Sequence, residues 1–150
     1  AVRFDEVEVR PTNRSAAGVK AIKLEDGERA VGMAVVPNDE AEIIVLTEKG
    51  FGKRTKAASF KVKGRNTKGV KYMNITAKSG NPVALSVCSA DEDLVVVTDK
   101  GMIIRTELKN ISVIGRDTQG VCIIKLNEGH KVASIVVVPK ADASKDDEQE

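Results

Sequence analysis

Short runs of β-branched residues recur along the chain, separated by residues that favour turns. These runs are Val31 to Val36, Ile43 to Leu46, Val83 to Val87, Leu94 to Val97, Ile111 to Ile114 and Val132 to Val138. Gly, Asn, Asp and Ser lie between them at a spacing of roughly ten residues. Apolar runs of this length, bounded by turn residues, are typical of β-strands rather than of helices. The pattern therefore predicts an all-β protein.

A period of 51 residues underlies this pattern. The positions that recur at this interval are Arg3, Arg54 and Arg105, then Arg14, Arg65 and Arg116, and then Gly18, Gly69 and Gly120. About four short strands per unit, repeated side by side, are typical of a propeller. We therefore predict a propeller-like fragment of about three four-stranded blades, with repeats near residues 1–51, 52–102 and 103–140. Three blades do not close a ring, so unpaired sheet edges are available for self-association of the chain.

The composition limits the kind of core and the kind of partner. The chain has 150 residues, of which 41% are hydrophobic and 31% charged, so a packed core is expected rather than global disorder. Only 3% are aromatic and Trp is absent, so the core is aliphatic and a stacking platform for unpaired bases is disfavoured. No apolar run approaches the length of a transmembrane helix, and the first residues do not have the pattern of a secretion signal.

The reactive side chains give no sign of catalysis. Cys88 and Cys122 both lie in apolar, strand-like segments, and we expect them to be buried reduced thiols rather than a disulfide or a metal site. His130 follows a glycine in a turn and is expected to be solvated. Tyr72 has no acidic cluster beside it of the kind that metal-assisted DNA cleavage requires. We therefore predict no catalytic residue and no metal site.

The formal net charge of +2 conceals a separation of charges along the chain. Residues 49–71 contain nine basic residues and no acidic one. Residues 141–150 carry a net charge of −4, which leaves +6 for residues 1–140. We expect this acidic end to be a disordered tail that either competes with a polyanion for the basic surface or only aids solubility.

The basic segments lie at the same phase of each repeat. Blades placed side by side would therefore align them on one rim, which suits the phosphates of duplex DNA. Within residues 63–69, Gly and Asn permit a tight turn, and Arg65 and Lys68 flank it so that they could bracket a phosphate. Contacts of this kind give affinity and position without reading base sequence.

The sequence resembles the C-terminal domain of bacterial DNA gyrase A over essentially its whole length. The stretches that carry the resemblance are Ala1 to Phe4 with Val9 to Pro11, Gly50 to Thr55, and Ile111 to Val121. The resemblance implies a β-pinwheel, a six-bladed relative of the propeller of which this chain looks like the last three repeats. It also implies a module that wraps DNA and supports ATP-dependent negative supercoiling by the holoenzyme.

The hallmark box of that family, Gln-Arg-Arg-Gly-Gly-Lys-Gly, is absent from this chain. Its counterparts here keep Arg65, Lys68 and Gly69 in one repeat, but place Gln119 at the lysine position in the next. The residues expected to contact DNA are Lys53, Arg54, Lys56, Lys63, Arg65, Lys68 and Lys71, with Arg10, Arg14, Arg105 and Arg116 as weaker partners.

Further expectations follow from the resemblance. The partners would be duplex DNA, the remainder of gyrase A, and gyrase B, at the chromosome in the cytoplasm and with no membrane. This part of the enzyme would hold no cofactor, since ATP and Mg²⁺ would bind elsewhere in the holoenzyme. The alternatives are the corresponding C-terminal domain of topoisomerase IV, and a propeller that serves as a protein-interaction scaffold.

Overall fold

The computed structural model describes residues 1–140, which form seven β-strands and three short 3-10 helices. The strands are β1 (Glu42–Thr47), β2 (Phe51–Lys56), β3 (Pro82–Cys88), β4 (Glu92–Thr98), β5 (Ile103–Glu107), β6 (Val121–Cys122) and β7 (Val132–Pro139). The 3-10 helices are Glu6–Glu8, Ala57–Ser59 and Leu108–Asn110. No α-helix is formed in this part of the chain, and the all-β prediction is confirmed. The acidic end, residues 141–150, lies outside the described residues.

The strands form two antiparallel sheets. One sheet has the order β3-β1-β2-β6 and the other has the order β5-β4-β7. Each sheet contains one tight hairpin, β1–β2 or β4–β5, which turns at Gly50 or Gly101 with φ of +80° or +77°. Glycine is favoured at both turns because residues with a Cβ rarely adopt this conformation. The equivalent turns, one in each sheet, follow from the 51-residue period.

The hydrophobic core lies where the two sheets meet. β3 and β7 are edge strands of different sheets and pack against each other. The core residues are Ile44, Leu46, Cys88, Leu94, Val96, Leu108, Ile111, Ile124 and Val132. The opposite edges are formed by β6 in one sheet and β5 in the other.

Two predicted strands are not formed. The run from Ile111 to Ile114 follows a 3-10 helix, and only Val113 makes a bridge, to Arg54. The run from Val31 to Val36 is irregular and mostly exposed. β3 pairs with β1 and β7 pairs with β4, and in each pair the later strand begins 40 residues after the earlier one. By this register the described residues contain no partner strand for 31–36, so its backbone has no ladder to join there.

The part of the first repeat that precedes β1 consequently forms no sheet. It is attached to the second repeat by isolated parallel bridges, Arg3 to Val62 and Ile22 to Thr67. The described residues thus contain one four-stranded and one three-stranded sheet. The bounds of the three repeats stay a prediction.

The cysteines and the histidine differ in part from expectation. Both thiols are free, but only Cys88 is buried, whereas Cys122 is exposed at the edge of its sheet. Burial raises the pKa of the Cys88 thiol to about 12, so this group stays protonated. His130 is half-buried rather than fully solvated.

Candidate nucleic-acid interface

Two equivalent loops have residues exposed at the surface, the middle loop (63–69) and the C-terminal loop (114–120). Each ends on a glycine in the left-handed region, Gly69 with φ of +75° and Gly120 with φ of +81°. A Cβ at Gly69 would lie 2.1 Å from the Ala1 carbonyl oxygen, and one at Gly120 would lie 2.5 Å from that of Gly52. Both loops therefore need glycine, because the backbone passes directly over the preceding repeat.

The middle loop lies against the segment 20–25 of the first repeat. The Asn66 amide donates to the Ala21 carbonyl (2.8 Å), and the Lys23 amide donates to the Thr67 carbonyl (3.0 Å). The Arg65 guanidinium donates to the Lys20 carbonyl at 3.0 Å. Asn66 takes the left-handed conformation (φ +56°), so the tight turn expected here is formed.

This pairing brings together cations that are far apart in sequence. We call them the basic cluster: Lys20, Lys23, Lys63, Arg65 and Lys68. All are exposed except Arg65, which is half-buried beside a shallow depression of 410 Å³. The cluster presents ammonium groups to solvent along two neighbouring loop segments, which is an arrangement that can follow a polyanion.

Two carboxylates accompany the basic cluster. Glu8 accepts a hydrogen bond from the Arg65 amide at 3.1 Å and lies 4.0 Å from its Nε. Glu25 forms an ion pair with Lys68, and both side chains are largely exposed. Exposed ion pairs contribute only about 0–1 kcal/mol, so a phosphate can replace these carboxylates at small cost. Lys20, Lys23 and Lys63 form no ion pair within residues 1–140.

The C-terminal loop repeats part of these contacts with fewer cations, since the Asn74 amide donates to the Thr118 carbonyl at 2.9 Å as Lys23 does to Thr67. The Arg116 guanidinium donates to the Lys71 carbonyl at 2.9 Å, as Arg65 does to Lys20. At the position equivalent to Lys68, the Gln119 side chain accepts a hydrogen bond from the Thr76 hydroxyl at 3.2 Å. Lys71 and Arg116 are therefore the candidate phosphate ligands here.

Lys53 is not a surface residue, contrary to expectation. Its side chain is fully buried, and its ammonium donates to the carbonyls of Gly115 (2.8 Å), Arg116 (2.7 Å) and Thr118 (3.2 Å). It also lies 3.1 Å from the Thr118 hydroxyl and 5.7 Å from the centre of the Tyr72 ring. Burial lowers the pKa of Lys53 to about 8, while Asp117 raises it and Arg116 lowers it further. The side chain is used inside the protein and cannot reach DNA.

Arg54 is likewise structural, whereas Arg105 makes the equivalent ion pair with an exposed side chain. Arg54 is 5% exposed, donates from Nε to the Ile111 carbonyl, and pairs with Glu42 at 2.5 Å. Arg105 pairs with Asp93, the residue equivalent to Glu42, at 2.8 Å. These pairs join neighbouring strands of a sheet, which accounts for an arginine at this position, and Arg105 stays a peripheral candidate for DNA contact because its side chain is 46% exposed.

The other expected ligands are exposed. Lys56 pairs with Glu40 at 2.6 Å on the surface of β2. Arg10 and Arg14 are exposed and form no ion pair within residues 1–140. Sequence reasoning missed Lys20 and Lys23, although Lys20 lies 51 residues before Lys71 and could have been found by the same period.

The described residues also contain a small aromatic cluster. Phe60 and Tyr72 stack with their ring centres 5.0 Å apart, and Arg116 lies 6.0 Å above Phe60. The Tyr72 hydroxyl donates to the Ile43 carbonyl at 2.9 Å, and burial raises its pKa. Within residues 1–140, no three His, Cys, Asp or Glu side chains are grouped as a metal site. No helix in that range is long and apolar enough to cross a membrane.

Comparison with known proteins links this geometry to one family. The family described as "DNA gyrase C-terminal domain, beta-propeller" matches three successive stretches, residues 1–37, 41–89 and 92–139. The curated A subunit of DNA gyrase from Staphylococcus epidermidis is 42% identical over 94% of this chain, and the one from Staphylococcus aureus (strain MRSA252) is 40% identical over 99%. The chain spans 16–17% of the length of these relatives.

Solved structures give the same result for the fold. A DNA gyrase A C-terminal domain superposes with a TM-score of 0.83 and 25% identity, covering 90% of this chain and 46% of that one. The C-terminal domain of a DNA topoisomerase IV superposes with a TM-score of 0.84 and 26% identity, covering 91% and 42%. The prediction of a propeller-like blade array is confirmed.

Proposed function

The chain belongs to the DNA gyrase C-terminal domain family, and from this membership we propose that it is a non-catalytic module that binds and bends duplex DNA. The proposed ligands are the basic cluster, Lys71 and Arg116, with Lys56, Arg10 and Arg14 as peripheral contacts. Lys53 and Arg54, which were expected to contact DNA, are left out because they are buried and serve the fold, whereas the exposed Arg105 stays a peripheral contact.

The observation that carries the proposal is the position of the basic cluster. The middle loop is hydrogen-bonded to segment 20–25 of the first repeat, and this contact sets Lys20 and Lys23 beside Lys63 and Lys68. Lysine side chains without a fixed acceptor bind phosphate as mobile point charges, with no dependence on base sequence. Few aromatic side chains accompany them, which favours a duplex over an unstacked single strand.

Bending follows from the repetition of this loop. The two loops make equivalent contacts in successive repeats, so a duplex bound to one is led towards the other. Smooth bending of a site of 20–30 base pairs by 40–90° costs on the order of 1–6 kcal/mol. Several phosphate contacts can offset this cost, and the affinity then depends steeply on salt.

The function of the whole enzyme remains a proposal for this chain, because the chain covers a small part of its relatives. We propose that the parent protein supports ATP-dependent negative supercoiling with the rest of gyrase A and with gyrase B. On this view ATP and Mg²⁺ bind elsewhere in the holoenzyme, which works at the chromosome in the cytoplasm. The acidic end at 141–150 is proposed either to compete with DNA or only to aid solubility.

The test compares two single charge reversals. Lys63→Glu changes the basic cluster, whereas Lys100→Glu changes an exposed lysine in the β4–β5 turn. Titrating a labelled duplex at several salt concentrations should give a lower affinity for Lys63→Glu and a salt slope smaller by about 1 or more. Lys100→Glu should stay near wild type. Equal losses from the two variants would contradict the assigned surface, and binding that is insensitive to salt would favour a protein-interaction scaffold instead.

The topoisomerase IV domain is the second candidate, favoured by its equal structural similarity. A wrapping module traps a bend of constant hand, whereas a module that only holds DNA traps none. Closing nicked circles with ligase in the presence of the chain separates the two, since wrapping shifts the linking number in one direction. An unchanged linking number alongside salt-dependent binding would contradict wrapping by this chain while leaving DNA binding in place.

A further inference from the structure

We propose that Lys53 is a positioning residue for the DNA contact of the C-terminal loop: its buried ammonium binds the inward-facing carbonyls of the loop and thereby holds Arg116 in place. The inference rests on the function proposed above, since it concerns how one phosphate ligand of that surface is held. Lys53 would then contribute to DNA binding although its own side chain cannot reach DNA.

The first support is the geometry around the ammonium. Lys53 has three N–H donors, and four oxygen acceptors surround them at 2.7–3.2 Å, three of which are backbone carbonyls of the loop. The carbonyl of Arg116 itself makes the shortest of these contacts. A cation at the centre of a ring of carbonyls fixes the direction in which each peptide points. The backbone of Arg116 is thereby held in one orientation, and its guanidinium donates to the Lys71 carbonyl at 2.9 Å.

The second support is how Lys53 is anchored. It lies in β2, inside the four-stranded sheet, and its neighbours Gly52 and Arg54 are tied to the third repeat by backbone pairing. The ammonium therefore sits on a rigid element, and the loop is fastened to it from the outside. Thr55 adds a further bond from its hydroxyl to the Ile114 carbonyl at 2.9 Å. A ligand held by such a frame loses little conformational freedom when it meets a phosphate.

The third support is the contrast with the middle loop. The residue equivalent to Lys53 in the first repeat is Val2, which offers no donor, and the middle loop is held by Glu8 instead. Thr67 and Thr118 make the same bond within their loops, to the carbonyls of Gly64 (3.3 Å) and Gly115 (3.2 Å). Only Thr118 also accepts from a buried lysine. The internal ammonium is therefore not a requirement of the loop fold itself.

The test is a pair of double-mutant cycles on DNA affinity. Lys53→Met keeps the length of the side chain and removes its charge, and Arg116→Ala removes the proposed ligand. If Lys53 acts through Arg116, Lys53→Met should weaken binding by about three- to tenfold, the effect of about one lost phosphate contact. The double variant should then be no weaker than Arg116→Ala alone, within about twofold. In the control cycle, the fold-losses of affinity caused by Lys53→Met and Arg65→Ala should multiply, because Lys53 does not touch the middle loop.

Multiplying effects in both cycles would overturn the inference, because a general loss of stability would act on every ligand alike. If Lys53→Met does not fold, the pair Thr118→Val and Thr67→Val decides the matter. Both remove the same bond within the loop, but only Thr118→Val removes a contact to Lys53, so it should weaken binding more. Equal losses would again overturn the inference while leaving the proposed function intact. A wild-type chain that shows no salt-dependent binding would overturn both.

Discussion

The middle loop and the C-terminal loop have nearly the same backbone and opposite electrostatic supports. The middle loop is held by a carboxylate, Glu8, which accepts a hydrogen bond from an amide of the loop. The C-terminal loop is held by an ammonium, Lys53, which donates to carbonyls of the loop. Glu8 therefore reduces the positive charge at the middle loop, whereas Lys53 adds positive charge at the C-terminal loop. The comparison shows that the fold of the repeat and the charge of its surface are set by different residues.

The support that both loops share is the glycine at the end, and its loss should have the largest effect. Gly120→Ala places a Cβ 2.5 Å from the Gly52 oxygen at a φ of +81°. Gly101→Ala has a similar φ of +77° but open space around the new atom. We expect a loss of unfolding free energy of about 2–4 kcal/mol for Gly120→Ala and about 1 kcal/mol for Gly101→Ala. Thermal or urea unfolding of both variants measures the difference, and equal losses would mean that the loop moves away without cost.

The second-largest effect should be on DNA affinity, because the middle loop carries more cations than the C-terminal loop. Reversing the charges of the middle loop with Arg65→Glu and Lys68→Glu should lower affinity by at least about tenfold at low salt, since two contacts become repulsive. Arg116→Glu alone should cost clearly less, because Gln119 already lacks a charge. A titration at one fixed ionic strength compares the two variants. Equal losses would show that the two loops contribute alike, contrary to the charges they carry.

How far the sequence predicts these features depends on whether the determining contact is local. The repeat, the hairpin turns and the turn chemistry around Arg65 follow from residue types at short range, and the structure has them. The buried position of Lys53 depends on carbonyls 62 to 65 residues further along the chain, which no local pattern reports. β2 is polar and basic in sequence, and it becomes a central strand because its neighbours on both sides pair with it.

The basic cluster also depends on contacts between distant residues, which a local sequence pattern does not report. The charge run at 49–71 drew attention to one segment, but the cluster takes Lys20 and Lys23 from another repeat. Their position depends on the bridge between Ile22 and Thr67, which is a pairing between distant loops. A count of charges along the chain therefore assigns too many DNA contacts to β2 and does not find the lysines of segment 20–25.

Removing the carboxylate from the middle loop and placing one at the equivalent position of the C-terminal loop should have smaller effects on DNA affinity, which are opposite in sign. Glu8→Gln removes the negative charge next to Arg65 and should raise DNA affinity by about two- to threefold. Ser59 is exposed and lies at the equivalent position in the second repeat, so Ser59→Glu should lower affinity by a similar factor. Parallel salt titrations of the two variants test this. Changes of the same sign would show that the carboxylate acts on the fold of the loop rather than on its charge.

The smallest expected effect is a pH dependence of the unfolding free energy, caused by the Lys53 ammonium that supports the C-terminal loop. Burial lowers the pKa of Lys53 to about 8 in the folded chain, below its usual value of 10.5. Between these values the unfolded chain binds the proton and the folded chain does not, so this group makes the folded state more stable as pH rises. The contribution is complete above 10.5 and is lost as pH falls through about 8. Lys53→Met has no such proton, so the difference in unfolding free energy between wild type and variant should shift in favour of wild type from pH 8 upwards. Urea unfolding at several pH values measures it, with Lys56→Met as the matched loss of an exposed lysine. A difference that does not change with pH would mean that the carbonyls of the C-terminal loop hold the ammonium charged, which makes the support of that loop permanent rather than titratable.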